Sequence, residues 1–136
     1  MPEPLGAEDV MRALPGTGEI MASVGRSFGN CWHAARGGNW DLAAYFVRRV
    51  RGRLRTLVIV RPKYREQVAD YDRDHMEPLY QAVMARNWSR FELEYRRSVE
   101  RANEYHVETG HPYIRWQAPA VPPDPGLDFR ALDFER

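Results

Sequence analysis

Hydrophobic residues recur along this chain in four stretches whose spacing is typical of amphipathic helices. The first stretch runs from about Glu19 to Arg36. Its apolar side chains lie three or four residues apart, on one stripe: Ile20, Val24, Phe28, Cys31, Trp32 and Ala35. Gly37 and Gly38 follow, and glycine adopts the left-handed backbone conformation that ends many helices. The pattern therefore predicts a first helix that ends at this glycine pair.

The second stretch opens with a helix-capping signal. Asn39 belongs to the residue types preferred at an N-cap, and Asp41 suits the positive end of a helix dipole. Apolar residues then follow at helical spacing: Trp40, Ala44, Val47, Val50, Leu54 and Leu57. Pro62 lacks a backbone N–H and cannot continue a helix. We therefore expect the second helix to lie between Asn39 and Pro62.

Two further helices are predicted beyond a polar connection, which itself has the pattern of a short helix around Tyr64 to Tyr71. The third helix starts near Asp72 or Asp74 and tolerates Pro78 in its first turns. Its inward residues are Met76, Leu79, Tyr80 and Val83. The fourth helix begins after an Asn87 cap and ends at Gly110, with an inward stripe of Phe91, Tyr95, Val99, Ala102 and His106.

The second and fourth helices open with the same motif. Asn39-Trp40 and Asn87-Trp88 each follow an Ala-Arg pair, directly or after two glycines. The repetition indicates two αα-hairpins, each with an Asn-Trp at the start of its second helix. We therefore predict an all-α fold, an antiparallel four-helix bundle, in which the tryptophans are core residues.

The chain changes character after Gly110. Its prolines are Pro112, Pro119, Pro122, Pro123 and Pro125, and proline favours an extended backbone over a helix. The sequence therefore predicts three parts: an N-terminal extension over 1–18, the four-helix bundle over 19–110, and an extended Pro-rich tail over 111–136.

Length and composition indicate one globular domain. The chain has 136 residues, of which 43% are hydrophobic and 29% charged, with a net charge of +1. No apolar run approaches the ~20 residues of a membrane span, and the first residues lack the pattern of a secretory signal. Cys31 is the sole cysteine, so no internal disulfide can form. We expect a cytoplasmic protein that does not bind membranes.

The exit of the fourth helix carries the most specific motif. Ala102-Asn103-Glu104-Tyr105-His106 precedes Gly110 and Tyr113-Ile114. This order resembles the Cys-x-x-Cys-His haem-attachment motif and the exit turn of cytochrome c-prime-like four-helix bundles. Asn39-Trp40-x-Leu42-Ala43-x-Tyr45 is similar to the start of their second helix. The resemblance covers roughly residues 28–119 and implies the same bundle, with His106 at the proximal haem-ligand position.

Ala102 and Tyr105 stand where that family has its two cysteines. Without cysteines no thioether bond to haem can form, so no cofactor is predicted. Axial ligation of a non-covalent haem by His106 is the alternative. His106 also has a purely structural interpretation, as an inward histidine that is hydrogen-bonded within the bundle.

Two functions follow from these observations. In the first, the protein is a haem-free binding or accessory subunit with a protein partner or a second copy of itself. In the second, it is a small enzyme or sensor that binds a small molecule in the vacated haem pocket, with His106 or Tyr105 as candidate general acid or base. The residues predicted to line that pocket are Phe28, Trp32, Tyr95, Ala102, Tyr105, His106 and His111. A cavity beside His106 would favour the second function.

Metal and nucleic-acid sites are not predicted. Cys31 and His33 point to different sides of a helix, and no Glu-x-x-His pair recurs as in di-iron bundles. The second helix is rich in arginine, and Arg48, Arg51 and Arg55 share a face that phosphates could contact. We instead expect this face to be ion-paired with acidic residues of the fourth helix: Glu92, Glu94 and Glu100.

Overall fold

The computed structural model describes residues 4, 6–9 and 16–132. Within these ranges the fold is all-α and contains no β-strand, as predicted. Its helices are α1 (Thr17–Gly37), α2 (Trp40–Val60), α3 (Arg65–Tyr71), α4 (Glu77–Met84) and α5 (Trp88–Glu108). None of the helices in this part of the chain has the length and apolar character needed to cross a membrane. Most of the predicted extension over 1–18, and residues 133–136 of the predicted tail, lie outside the described residues.

The turn between α1 and α2 forms at the predicted residues. Gly38 has a φ of +88°, in the left-handed region, and its N–H donates to the carbonyl of Ala35 at 3.1 Å. Asn39 Oδ1 accepts a hydrogen bond from the N–H of Leu42 at 3.2 Å, which caps α2. The short turn places α1 and α2 side by side, in extensive contact.

The short helix predicted around Tyr64 to Tyr71 is present as α3, and it continues into the third predicted helix. A 3₁₀ turn over Pro62–Tyr64 leads directly into α3, and a π-helical turn over Asp72–Met76 joins α3 to α4 without a loop. Arg51 of α2 donates to both carboxylate oxygens of Asp72, at 2.7 and 2.8 Å, and to Glu77 at 2.8 Å. Asp72 and Glu77 thus face a guanidinium that lies on another helix.

An aromatic cluster fills the core between α1 and α5. Phe28 and Tyr95 stack with ring centroids 4.2 Å apart, and the Tyr95 hydroxyl donates to the carbonyl of Phe28 at 2.9 Å. Trp32 packs 5.0 Å from Tyr95 and 5.1 Å from Trp88. Trp32 is buried, while Trp40 and Trp88 are partly buried against the core. Trp40 and Trp88, the two tryptophans predicted to be core residues, thus pack against the core.

Residues 111–132 contain no helix and lie along the helices of their own chain. Asparagines hold this segment in place. Asn30 Nδ2 donates to the carboxylate of Asp124 at 2.7 Å, and Asn30 Oδ1 accepts from the Asp124 N–H at 3.1 Å. Asn39 Nδ2 donates to the carbonyl of Asp128 at 3.0 Å. Arg26 adds an ion pair with Asp124. Hydrogen bonds thus fix the segment to α1 and to the start of α2.

Candidate functional site

A cavity of about 630 Å³ lies where α1 begins and α5 ends. Its walls come from the first turns of α1, the last turns of α2, the region of α3, the last turns of α5 and the segment after α5. The lining residues are Thr17, Gly18, Met21, Ala22, Val24, Leu54, Leu57, Lys63, Tyr64, Gln67, Val68, Tyr71, Ala102, Tyr105, His106, Thr109, His111, Ile114 and Trp116. The volume falls within the range of about 300–1,000 Å³ that is usual for small-molecule sites.

The inner wall of the cavity is apolar. Val24, Leu54, Leu57 and Ala102 are all at least 94% buried, and each lies on the inward stripe of its helix. Lys63 is exposed at the rim. Polarity therefore increases from the inside of the cavity towards solvent.

His106 is fixed in a single tautomer by the segment after α5. Its Nδ1 lies 3.0 Å from the carbonyl oxygen of Ile114, and a carbonyl can only accept, so Nδ1 carries the proton. Nε2 then bears the lone pair of the neutral ring. The ring also packs edge-on against Trp116, with centroids 5.4 Å apart. Burial lowers the pKa of His106, and the neighbouring His111 lowers it further, while the bond to Ile114 opposes this change.

His111, the second histidine of the cavity, also has its Nδ1 hydrogen-bonded within the protein. His111 Nδ1 lies 3.3 Å from Thr109 Oγ1, and that hydroxyl donates its own hydrogen to the carbonyl of Tyr105 at 2.8 Å. The hydroxyl can therefore only accept from His111, which leaves His111 Nε2 with the lone pair. The cavity thus has two imidazoles with a free Nε2.

Tyr105 and Tyr71 form an aromatic part of the wall. Their ring centroids are 6.1 Å apart, and the Arg101 guanidinium lies 3.9 Å from the centroid of Tyr105. The Tyr71 hydroxyl donates to the carbonyl of Ser98 at 2.9 Å, and burial raises the Tyr71 pKa well above its ordinary value. The Tyr71 proton is therefore held inside the core, and the role of Tyr105 as general acid or base stays a prediction.

The structure divides the predicted pocket residues into two groups. Ala102, Tyr105, His106 and His111 line the cavity together. The other three predicted residues, Phe28, Trp32 and Tyr95, lie in the aromatic cluster instead, where they pack against one another. This separation arises because Tyr95 lies two helical turns before Ala102 on α5. The packed aromatic rings fill the space beside α5 at the level of Tyr95, and the cavity lies at the level of Ala102.

Several lining residues were not predicted from the sequence: Met21, Val24, Leu54, Leu57, Lys63, Tyr64, Val68, Tyr71 and Trp116. Val24, Leu54 and Leu57 belong to the apolar stripes of their helices, so their spacing indicated burial and nothing more. Trp116 lies among the prolines of the C-terminal segment. A large aromatic residue so close to the histidine motif was the one available signal for it.

The described part of the chain has no cluster of three or more His, Cys, Asp or Glu residues that could hold a metal. Cys31 Sγ lies 3.6 Å from the carbonyl of Ala43, whereas His33 Nε2 donates to the carbonyl of Pro119 at 2.8 Å. The two side chains therefore contact different elements, as helical geometry predicts. Burial raises the pKa of the Cys31 thiol.

The predicted ion pairs of the α2 arginines are wrong. Arg51 pairs with Asp72 and Glu77, and in the ranges described above no carboxylate pairs with Arg48, Arg53 or Arg55. Two of the expected partners pair within α5 itself, Glu92 with Arg96 at 3.7 Å and Glu94 with Arg97 at 3.4 Å. The spacing of charged residues along a helix does not show which helix lies opposite, so the expected partners were on the wrong helix. Tyr45 is exposed on the same side of α2, with Arg49 5.8 Å from its ring.

Comparison of the chain with protein-family models, with curated protein sequences and with solved structures finds no match in any of the three. The resemblance to cytochrome c-prime-like bundles therefore rests on the sequence motifs alone.

Proposed function

We propose that this protein binds a small, mainly apolar molecule in the cavity beside His106. The observation that carries the proposal is the cavity itself, with buried aliphatic residues on the inside and histidines towards the rim. Sites for small molecules combine mostly apolar walls with a few polar groups that orient the ligand. The second of the two functions expected from the sequence, binding in the vacated haem position, is therefore the one that the geometry favours.

The proposal includes the finer architecture expected from the sequence. Contacts of α1 with α2, α2 with α4, α4 with α5 and α5 with α1 support an antiparallel four-helix bundle. Sites in such bundles are built from side chains on facing helices, and this cavity draws residues from α1, α2, α3 and α5. The proposed location is the cytoplasm, which fits a single, buried cysteine.

The role of the cavity is binding or sensing. A general base needs a free lone pair near the reacting proton, and His106 Nε2 is the best-placed candidate. However, the one strongly fixed feature of His106 is its Nδ1 bond to Ile114, which couples the cavity to the segment after α5. A ligand bound beside His106 would therefore affect the segment after α5. Such a role in binding or sensing does not require catalysis.

The test is calorimetric titration of the purified protein with small apolar probes, preceded by native mass spectrometry for any retained ligand. Ala102→Leu places a larger side chain in the cavity and should abolish binding. Ala82→Leu is the control, because Ala82 is buried on α4 and does not line the cavity. Equal binding by the wild type and Ala102→Leu would rule out this cavity as the site.

A second candidate function is the haem-free accessory subunit. The observation that favours it is the outward face of α2, where Arg48 and Arg55 are exposed and lack an ion pair in the described part of the chain. A partner protein with an acidic surface would complement this face. The charge-reversed variant with Arg48→Glu and Arg55→Glu should no longer bind such a partner, whereas the control variant Arg36→Glu should still bind it. Equal binding of the partner by the two variants would show that it does not use this face.

Non-covalent haem through His106 remains the alternative ligand. The residues fit in one respect, because metal-binding histidines usually donate the other ring nitrogen to a backbone carbonyl, as His106 does. They fit poorly in another, since the Tyr105 ring packs against Arg101 in one of the cysteine positions. We therefore expect no stoichiometric Soret band when hemin is added. A band that disappears in His106→Ala would make haem the ligand.

A further inference from the structure

The cavity has no negatively charged side chain among the described residues that line it. Its lining contains one lysine and two histidines. Lys63 has no carboxylate partner in the ranges described, and its Nζ lies 5.1 Å from the centroid of the Tyr64 ring. An unpaired cation at the rim of an apolar cavity attracts a negatively charged group at that end of a ligand.

The two histidines can add hydrogen bonds to the same group. In both rings Nδ1 is already bonded inside the protein, at Ile114 for His106 and at Thr109 for His111. A proton taken up by His106 therefore goes to Nε2, the nitrogen without a partner. A protonated imidazole donates strong hydrogen bonds to a carboxylate.

Deeper in the cavity the walls offer only apolar contact. Val24, Leu54 and Leu57 are at least 94% buried and have no polar side-chain atom. A carboxylate in this region would lose its hydration without gaining a hydrogen bond. The body of the ligand must therefore be apolar, and its charge must lie at one end.

We propose that the ligand is an amphipathic anion, a long-chain carboxylate whose apolar chain lies against the inner wall and whose carboxylate lies between Lys63 and His106. This inference rests on the proposed function, because it names the ligand class of the same cavity. The opposite assignment, a quaternary ammonium held by aromatic rings, is less compatible with the geometry. Lys63 and Arg101 already place their own cations over the rings of Tyr64 and Tyr105.

The test compares three ligands with one chain length and different head groups: dodecanoate, dodecanol and dodecyltrimethylammonium. Each is titrated calorimetrically into the full-length protein, below the concentration at which the ligand forms micelles. Dodecanoate should bind about tenfold more tightly than dodecanol, because one charge-assisted contact contributes roughly that factor. Dodecyltrimethylammonium should bind most weakly.

Variants then assign the head-group site. Lys63→Met keeps the length of the side chain and removes its charge, and His106→Gln keeps a polar group in place of the imidazole. Each should bring the affinity for dodecanoate close to that for dodecanol, while leaving dodecanol unchanged. Arg65→Met is the matched control, because Arg65 is exposed in the next turn and does not line the cavity.

The outcomes separate this inference from the proposed function. Equal binding of dodecanoate and dodecanol, both abolished in Ala102→Leu, would overturn the ligand class and leave cavity binding intact. Tightest binding of dodecyltrimethylammonium would assign the aromatic rings to a cation. If none of the three ligands binds, the inference and the proposed apolar site fail together.

Discussion

Asn103 and Trp116 are joined by two hydrogen bonds between one side chain and one residue's backbone. Asn103 Nδ2 donates to the Trp116 carbonyl at 2.9 Å, and Asn103 Oδ1 accepts from the Trp116 N–H at 2.7 Å. This pair fixes a wall of the cavity to α5, because Trp116 lines the cavity and packs against His106. One amide thus performs the pairing that a neighbouring strand would perform in a sheet.

Asn103→Ala should therefore destabilise both the fold and the site. The substitution leaves the N–H and carbonyl of Trp116 without their partners, which should lower the free energy of unfolding by about 1–3 kcal/mol. It should also weaken ligand binding in calorimetry. Gln117→Ala is the control, since Gln117 is exposed. Equal urea-unfolding midpoints for the two variants would show that the pair contributes nothing to stability.

Because of the cavity, replacing alanine by leucine should affect stability differently at Ala102 and at Ala82. Ala102 borders the cavity, so the larger side chain of Ala102→Leu has space to occupy and should leave the stability nearly unchanged. Ala82 is fully buried against the core, so Ala82→Leu should cost about 1–3 kcal/mol through overpacking. Thermal denaturation of both variants measures the difference. A larger loss in Ala102→Leu would mean that the cavity is filled in solution.

The buried Tyr95 hydroxyl should contribute measurably to stability. Tyr95→Phe removes its hydrogen bond to the Phe28 carbonyl while keeping the stacked ring, so the expected cost is about 1 kcal/mol. Tyr113→Phe is the matched control, because Tyr113 is 78% exposed. Chemical denaturation should separate the two. Tyr95→Phe as stable as the wild type would contradict a role for this bond.

Gly37 is required where the C-terminal segment crosses the end of α1. A Cβ at Gly37 would collide with the backbone carbonyl oxygen of Phe129, whereas one at Gly52 would make only ordinary contact at 3.6 Å. Gly37→Ala should therefore lower the unfolding free energy by about 1–3 kcal/mol. Gly52→Ala should raise it by about 0.5–1 kcal/mol, because alanine is the better helix former. Opposite shifts in melting temperature are the expected result.

Two histidines should make the protein less stable in mild acid. Burial lowers the pKa of His106 and of His75, and Arg97 lowers that of His75 further. Below the ordinary value of about 6.5 the unfolded chain therefore binds more protons than the folded one, so stability falls as pH decreases. Urea unfolding between about pH 7.5 and 5.5 should show the loss. His106→Gln should reduce it, and an unchanged pH dependence in that variant would exclude His106 as a source.

The helices and their ends could be predicted because their causes are local. Apolar residues at helical spacing identified α1, α2 and α5, and the caps at Asn39 and Asn87 form as expected. The left-handed glycines have positive φ at both predicted positions, +88° at Gly38 and +84° at Gly110. Each of these signals depends on residues within one or two turns of each other.

The continuous path from α3 into α4 could not be predicted in this way. The sequence predicted a separate third helix that starts near Asp72 or Asp74, whereas the helical backbone runs through both residues. Arg51, the partner of Asp72, lies 21 residues before it. For the same reason Arg51 was expected to pair with α5, since a helical pattern does not reveal which helix lies opposite.

The sequence by itself determined the helical class and most of the helix ends. The tertiary structure decided that Ala102, Tyr105, His106 and His111 border a cavity, whereas Phe28, Trp32 and Tyr95 fill the core. The physical reason is that spacing along a helix shows which residues face inward, and it cannot show whether side chains from other helices fill the space they face. That depends on the volumes of residues brought together from distant parts of the chain.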